Sequence, residues 1–331
     1  MNIDVHSHAI PADIIELYRS EPAKYGLSVS EEPGREKSLI MNNGHVFPLL
    51  DQFHDVKTRL ADMDSRGVDV ELVTPAPTIV FYDQPIKEAL PLFQKINDAL
   101  AAMCAKEPKR LIACGTLPLQ DVAASCAEVQ RLVERYGTRM IMVNTHVNGR
   151  YYDEPEFLPL FEVCERLDVI LFFHPLNGNT SYGLGPYYLT NLLGNAIDTT
   201  ISATRLTLGG ALKKYPGCKC MFAHGGGFLP YQRGRVQHGY NMREESKVGL
   251  GGTPPAEIFD RLYFDTITHG DPALEFLISS HGADRIMLGS DYPFDMADIR
   301  HPDKVLNLPG LSSSDKEKVL SQNILRLLGK K

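Results

Sequence analysis

Residues 3–8 read Ile3-Asp4-Val5-His6-Ser7-His8, a strand pattern that carries two histidines one residue apart. Alternate residues of a strand point to the same side. His6 and His8 therefore converge on one point, and two neutral imidazoles at that spacing form a claw for a metal ion. An H-x-H pair also arises by chance, as two half-buried histidines that bind nothing. Three later stretches argue against chance. V-I-L-F-F at 169–173 stops at His174, C-M-F-A at 220–223 stops at His224, and I-M-L-G-S at 286–290 stops at Asp291. One apolar strand that stops at a polar turn residue is common. Three strands ending in His, His and Asp, behind a first strand bearing H-x-H, form a far more specific pattern.

Strand and helix patterns alternate along most of the chain. Val56, Leu60 and Met63 fall at helical spacing before Gly67, and V-D-V-E-L-V at 68–73 reads as a second strand. Further strands are expected at 111–116, 140–143, 169–173, 218–223, 262–266 and 286–289, with helices marked by Val122, Cys126, Val129 and Val133, by 157–167, by 273–280 and by 316–328. The strands are short and almost wholly apolar, as strands covered on both faces are. Eight strands alternating with helices predict an α/β fold, a closed parallel (β/α)8 TIM barrel formed by residues 1–331 as one domain. Chemistry in such barrels sits at the C-terminal strand ends, which is where His6, His8, His174, His224 and Asp291 are expected. Two segments interrupt the alternation. Residues 11–53 read as a small insertion over the barrel mouth, with a turn at Asn42-Asn43-Gly44, and residues 181–198 read as a second lid.

Composition narrows the class. An apolar content of 43 % in 331 residues is ample for a large core, and a net charge of −7 argues against nucleic acid or anionic membrane as partner. No apolar run approaches a membrane span. No signal-peptide pattern precedes the first strand, which makes the cytoplasm the expected location. The six cysteines, at 104, 114, 126, 164, 218 and 220, contain no C-x-x-C pair and read as buried reduced thiols.

The motifs D-V-H-S-H at 4–8, F-F-H-P at 172–175, A-H-G-G-G at 223–227, G-R-V at 234–236 and G-S-D-Y-P-F at 289–294 resemble the amidohydrolase superfamily. They are most similar to its branch of aminocarboxymuconate semialdehyde decarboxylases and related aromatic-acid decarboxylases. The resemblance spans the chain. It implies one divalent metal, zinc in most members with manganese as the alternative, held by His6, His8, His174 and Asp291 with water completing the site. Relatives with two metals add a carboxylated lysine at the fourth strand. Here that strand ends Val143-Asn144-Thr145-His146, which favours one metal, and His146 matches a histidine that shapes the pocket.

The resemblance also implies roles for substrate and proton transfer. His224 stands where the branch has its general acid/base, and Asp291 could hold or accept a proton. A fifth metal ligand or a strand cap are the alternatives for His224. Arg235 matches an arginine that crosses a dimer interface to a substrate carboxylate, a task that suits a planar bidentate guanidinium; a surface salt bridge is the alternative. A homodimer follows from that match. Phe294 would form part of the pocket wall. One departure stands out. The muconate enzymes carry a second substrate-binding arginine just before a proline, and here Phe47 precedes Pro48. Loss of that cation disfavours a dicarboxylate, and Phe47 offers an apolar, stacking surface instead, with His45 as a polar neighbour.

The activity these residues imply is metal-dependent nonoxidative decarboxylation of a small aromatic or ene carboxylic acid, hydroxybenzoate-like in preference to muconate. The same ligand set serves a hydrolase of a lactone, amide or C–C bond. A noncatalytic binding barrel is the third reading, and a complete donor set beside a candidate base argues against it.

Overall fold

Strand β1 (Ile3–Ala9) is buried at all seven positions, because helices cover its outer face and barrel side chains its inner face. It is seen here in a computed structural model that describes residues 1–30, 37–41, 46–176 and 183–329. Three short strands follow in the insertion: β2 (Leu27–Ser30), β3 (Ser38–Met41) and β4 (Val46–Pro48). The remaining strands are β5 (Val70–Pro75), β6 (Leu111–Ala113), β7 (Gly115–Thr116), β8 (Met140–Asn144), β9 (Ile170–His174), β10 (Lys219–Phe222), β11 (Tyr263–Asp265) and β12 (Ile286–Met287). They pair in parallel as β1-β5-β6 and β7-β8-β9-β10-β11-β12. The third barrel strand is split at Cys114, whose N–H turns to the Val73 carbonyl at 2.8 Å. The ring closes where the Val5 N–H meets the Leu288 carbonyl at 2.9 Å and Ser7 bridges Tyr292 in parallel. The barrel read from the alternation is therefore the fold.

The longest helix, Ile86–Cys104, lies between the second and third barrel strands. Pro91 inside it breaks the local helix signal, and burial of Leu92, Phe93, Ile96 and Leu100 holds it in place. The final helical run is not uniform: Ser313–Glu317 and Asn323–Leu327 flank a π-helical turn, Lys318–Gln322.

The insertion forms an antiparallel β2-β3-β4 sheet. In β4 only Phe47 points inward, with Val46 and Pro48 exposed, so the strand period fixes which side chain meets the barrel. The Asn42-Asn43-Gly44 turn, His45 and residues 181–182 lie outside the described residues. The described remainder of the second lid region leads through a π-helical turn, Thr190–Gly194, into helix Asn195–Leu208.

At the barrel flank, the His281 ring packs edge-on to Phe264 with centroids 4.7 Å apart. Burial, and then the nearby Arg233 cation, lower its pKa to about 4. An unfolded histidine titrates near about 6.5, so on acidification the unfolded chain takes up this proton first. Stability is fully present above the unfolded value and falls as the pH drops from about 6.5 to about 4. Denaturation midpoints across that window should show the loss, and His281→Gln should flatten it.

Candidate active site

Three histidines and one aspartate meet at the C-terminal mouth of the barrel. His6 and His8 project from β1, His174 ends β9, and Asp291 follows β12. Asp291 stands four residues past Met287, because the chain leaves β12 and returns alongside β1: its N–H donates to the His6 carbonyl at 2.8 Å. Both Asp291 and His224 adopt left-handed backbone, with φ of 67° and 56°. Non-glycine residues in that region are uncommon and cluster at functional sites.

The hydrogen bonds fix the proton on each ring. His6 Nδ1 donates to Asp265 Oδ2 at 2.7 Å, and a carboxylate can only accept. His174 Nδ1 donates to the Pro175 carbonyl at 2.7 Å. The Thr74 hydroxyl donates to the Ser7 carbonyl at 3.0 Å and so accepts from His8 Nδ1 at 2.9 Å. All three Nδ1 atoms are committed as donors, which leaves three Nε2 lone pairs facing inward. His6 Nε2 and His8 Nε2 are 3.1 Å apart, and His174 Nε2 is buried with no hydrogen-bond partner. Asp291 Oδ1 lies 2.9 Å from His8 Nε2, 3.3 Å from His6 Nε2 and 3.7 Å from His174 Nε2.

This donor set fits a divalent cation. One ligand atom from each of His6, His8, His174 and Asp291 lies within 4.8 Å of the others, and all four residues are buried. Facing lone pairs beside a buried carboxylate call for positive charge between them. The same demand shows in the titration of the groups. Burial pulls His6 down, but hydrogen bonds to Asp265 and Asp291 outweigh it and raise its pKa to about 10. Burial dominates at His8 and His174 and lowers both, His174 well below the usual imidazole range. Burial works to raise the Asp291 carboxyl, but contacts with His174, His224, His6 and His8 outweigh it and hold it well below the usual carboxylate range.

His224 Nε2 stands 3.5 Å from Asp291 Oδ2, with its ring centroid 5.1 Å from that of His174. Both His224 and Asp291 line a cavity of about 820 Å³ that also exposes Asn195, Phe228, Tyr231 and Phe276. Among the described residues that line it, none is Lys or Arg. Phe294 packs edge-on to His8 with centroids 5.1 Å apart, and Phe47 lies 5.4 Å from Phe294 and 5.3 Å from Phe53. The two phenylalanines form an aromatic chain from the insertion to His8, and neither lines this cavity. His146 does not line it either: its Nε2 faces Asp198 Oδ2 at 3.7 Å. Arg235 is exposed on helix Leu229–Met242 and is not brought to the cluster within one chain.

Two residues outside the sequence motifs support the site. Asp265 ends β11 and binds His6, as above. Arg59, wholly buried, hydrogen-bonds the His8 carbonyl and pairs with Glu71 at 2.6 Å, which clamps β1 from behind. The signal for Asp265 was present: like Asp291, it is a carboxylate at the end of an apolar run.

Known proteins resemble this chain over most of its length. The amidohydrolase family profile matches residues 3–330. The chain is 30 % identical over 331 residues to a 2-amino-3-carboxymuconate-6-semialdehyde decarboxylase of Dictyostelium discoideum, covering 99 % of this chain and 92 % of that one. It is 30 % identical over 287 residues to a gamma-resorcylate decarboxylase of Rhizobium sp. (strain MTP-10005), covering 82 % and 86 %. Its fold is similar to that of a dihydroxybenzoic acid decarboxylase from Polaromonas sp. JS666, solved with bound manganese and 2-nitroresorcinol, with a TM-score of 0.81 at 23 % identity over 99 % of this chain and 96 % of that one. The chain belongs to the amidohydrolase family, within its branch of decarboxylases.

Proposed function

We propose that this chain is a metal-dependent nonoxidative decarboxylase of a small aromatic or ene monocarboxylic acid, hydroxybenzoate-like in shape. The observation that carries the reading is the convergence of three Nε2 lone pairs and the Asp291 carboxylate beside a cavity that His224 also lines. His6, His8, His174 and Asp291 would hold the divalent ion. The bound ion supplies Lewis-acid stabilisation to the substrate's carboxylate or neighbouring oxygen. Zinc is the expected ion, and the manganese in the Polaromonas enzyme makes that metal the alternative to load first.

His224 would deliver a proton to the carbon that bears the carboxylate. The C–C bond to the carboxylate then breaks, its electron pair returns to the ring or ene system, and CO2 leaves. The product carries the added hydrogen where CO2 was lost, and water restores the proton to His224.

Phe47 and Phe294 would present an aromatic face to the substrate. Phe47, standing before Pro48 where the muconate enzymes have an arginine, supports one carboxylate over two. Phe47→Leu keeps the apolar volume and removes the ring. It should raise KM for the preferred acid about 3- to 10-fold, the value of one aromatic pair, with kcat held within about twofold of wild type. An unchanged KM would make Phe47 a packing residue only.

The active form would be a homodimer in which Arg235 of one protomer meets the substrate carboxylate of the other. Its exposure and the solvent-facing rings of Tyr231, Phe228 and Phe276 support this arrangement. Separately inactive His224→Ala and Arg235→Ala proteins, mixed and reassembled, should then recover about a quarter of wild-type sites in a twofold dimer. No recovery would return Arg235 to a surface role.

A further inference from the structure

We infer that Asp265 is a positioning residue with two outputs: it fixes the metal-binding tautomer of His6, and it sets the backbone turn that carries His224. Its side chain is wholly buried at the end of β11. Oδ2 accepts from His6 Nδ1 at 2.7 Å and from the His224 N–H at 2.9 Å. Oδ1 accepts from the Gly225 N–H at 2.8 Å and the Ile267 N–H at 3.1 Å. All four partners are donors, and a carboxylate is the acceptor-only group that can satisfy them together.

Each half of this arrangement has a consequence. A proton held on His6 Nδ1 leaves Nε2 free as a ligand, which is the carboxylate–histidine–metal pattern that tunes metal affinity. On the other side, His224 and Gly225 both have left-handed backbone, with φ of 56° and 60°. Consecutive N–H groups in such a turn form a concave donor pair for an anion. Asp265 occupies that concavity, so its carboxylate holds the backbone conformation that aims the His224 ring. Close packing leaves little freedom to either group: a Cβ at Gly289 would fall 2.9 Å from the Asp265 Cβ and 3.0 Å from the His6 Cβ.

Asp265→Asn tests the inference because an amide offers one acceptor and one donor. Turned toward His6, the NH2 forces the His6 proton onto Nε2, where it blocks metal binding. Turned toward Gly225 and Ile267, it sets N–H against N–H and displaces the His224 turn. The metal arm is read without turnover, by competition of the purified full-length protein with a chromogenic chelator for Zn2+ or Mn2+. The expected result is an affinity about 10- to 100-fold weaker than wild type. An affinity within about twofold of wild type overturns the inference.

The second arm rests on the proposed role of His224. At saturating metal, kcat should fall at least about 10-fold, and Asp265→Asn should add little in a His224→Ala background, because the two act as one unit. Losses that multiply in the double variant would overturn the positioning of His224. Failure of the proposed function looks different: wild type then shows no CO2 release, and the metal competition still decides the His6 arm. If Asp265→Asn does not fold, Gly289→Ala presses on both side chains with every donor retained, and it should weaken metal binding and kcat together. Metal affinity unchanged in that variant contradicts the inference.

Discussion

His224→Ala is expected to lose about 10²- to 10⁴-fold in kcat, the usual contribution of a positioned acid/base, while the protein keeps its metal. The two results separate because His224 is not among the four residues that share the donor cluster. Its ring lies at the edge of that cluster, 3.5 Å from Asp291 Oδ2, and opens on the cavity. Its backbone N–H bonds to Asp265 remain in an alanine variant, so the local turn persists. Equal loss of metal and turnover would make His224 a ligand. Ligand binding with no turnover in either protein would favour the binding-barrel reading. The chemistry is separated by isotope: a decarboxylase incorporates one solvent deuteron on product carbon, and a hydrolase incorporates solvent oxygen.

The second large effect is expected at Asp291. Asn tolerates left-handed backbone better than most residues, so Asp291→Asn removes the charge with little change to a backbone at φ 67°. Asp291 Oδ1 lies within 3.7 Å of all three Nε2 atoms and is the one anionic donor in the cluster. Metal affinity should fall by more than the about 10- to 100-fold typical of a residue that merely supports a ligand. CO2 release at ordinary metal concentration should vanish. Metal analysis after dialysis, set beside the Asp265→Asn protein, ranks the two carboxylates. Stoichiometric metal in dialysed Asp291→Asn would remove Asp291 from the ligand set.

Much of this site was legible because barrels put chemistry at strand ends, and four of the strand patterns carry or lead into His6 and His8, His174, His224 and Asp291. The period of β1 alone brings His6 and His8 together. Phe47 was legible as a residue type, but its direction needed the β2-β3-β4 sheet and the alternation within β4. Asp265 ends an apolar run as Asp291 does, but its partners are one ring and three backbone N–H groups that only the folded turn assembles. The buried Arg59–Glu71 pair is invisible for a similar reason: it joins a helix to a neighbouring strand and touches β1 through a carbonyl. Helix Ile86–Cys104 was obscured by Pro91, a local signal that tertiary packing overrides. The split at Cys114 depends on which neighbour each half-strand pairs with, and no local pattern encodes it. Arg235 is the reverse case, a residue singled out by resemblance whose proposed role would need a second protomer.

Decarboxylation is read out by CO2 release from zinc- or manganese-loaded protein across a panel of hydroxybenzoates and carboxymuconate-type acids, run beside His224→Ala. The expected result is release from a hydroxybenzoate monocarboxylate, little from the dicarboxylates, and loss of release in the variant. No release from any member by protein holding stoichiometric metal, or release that survives His224→Ala, would contradict it.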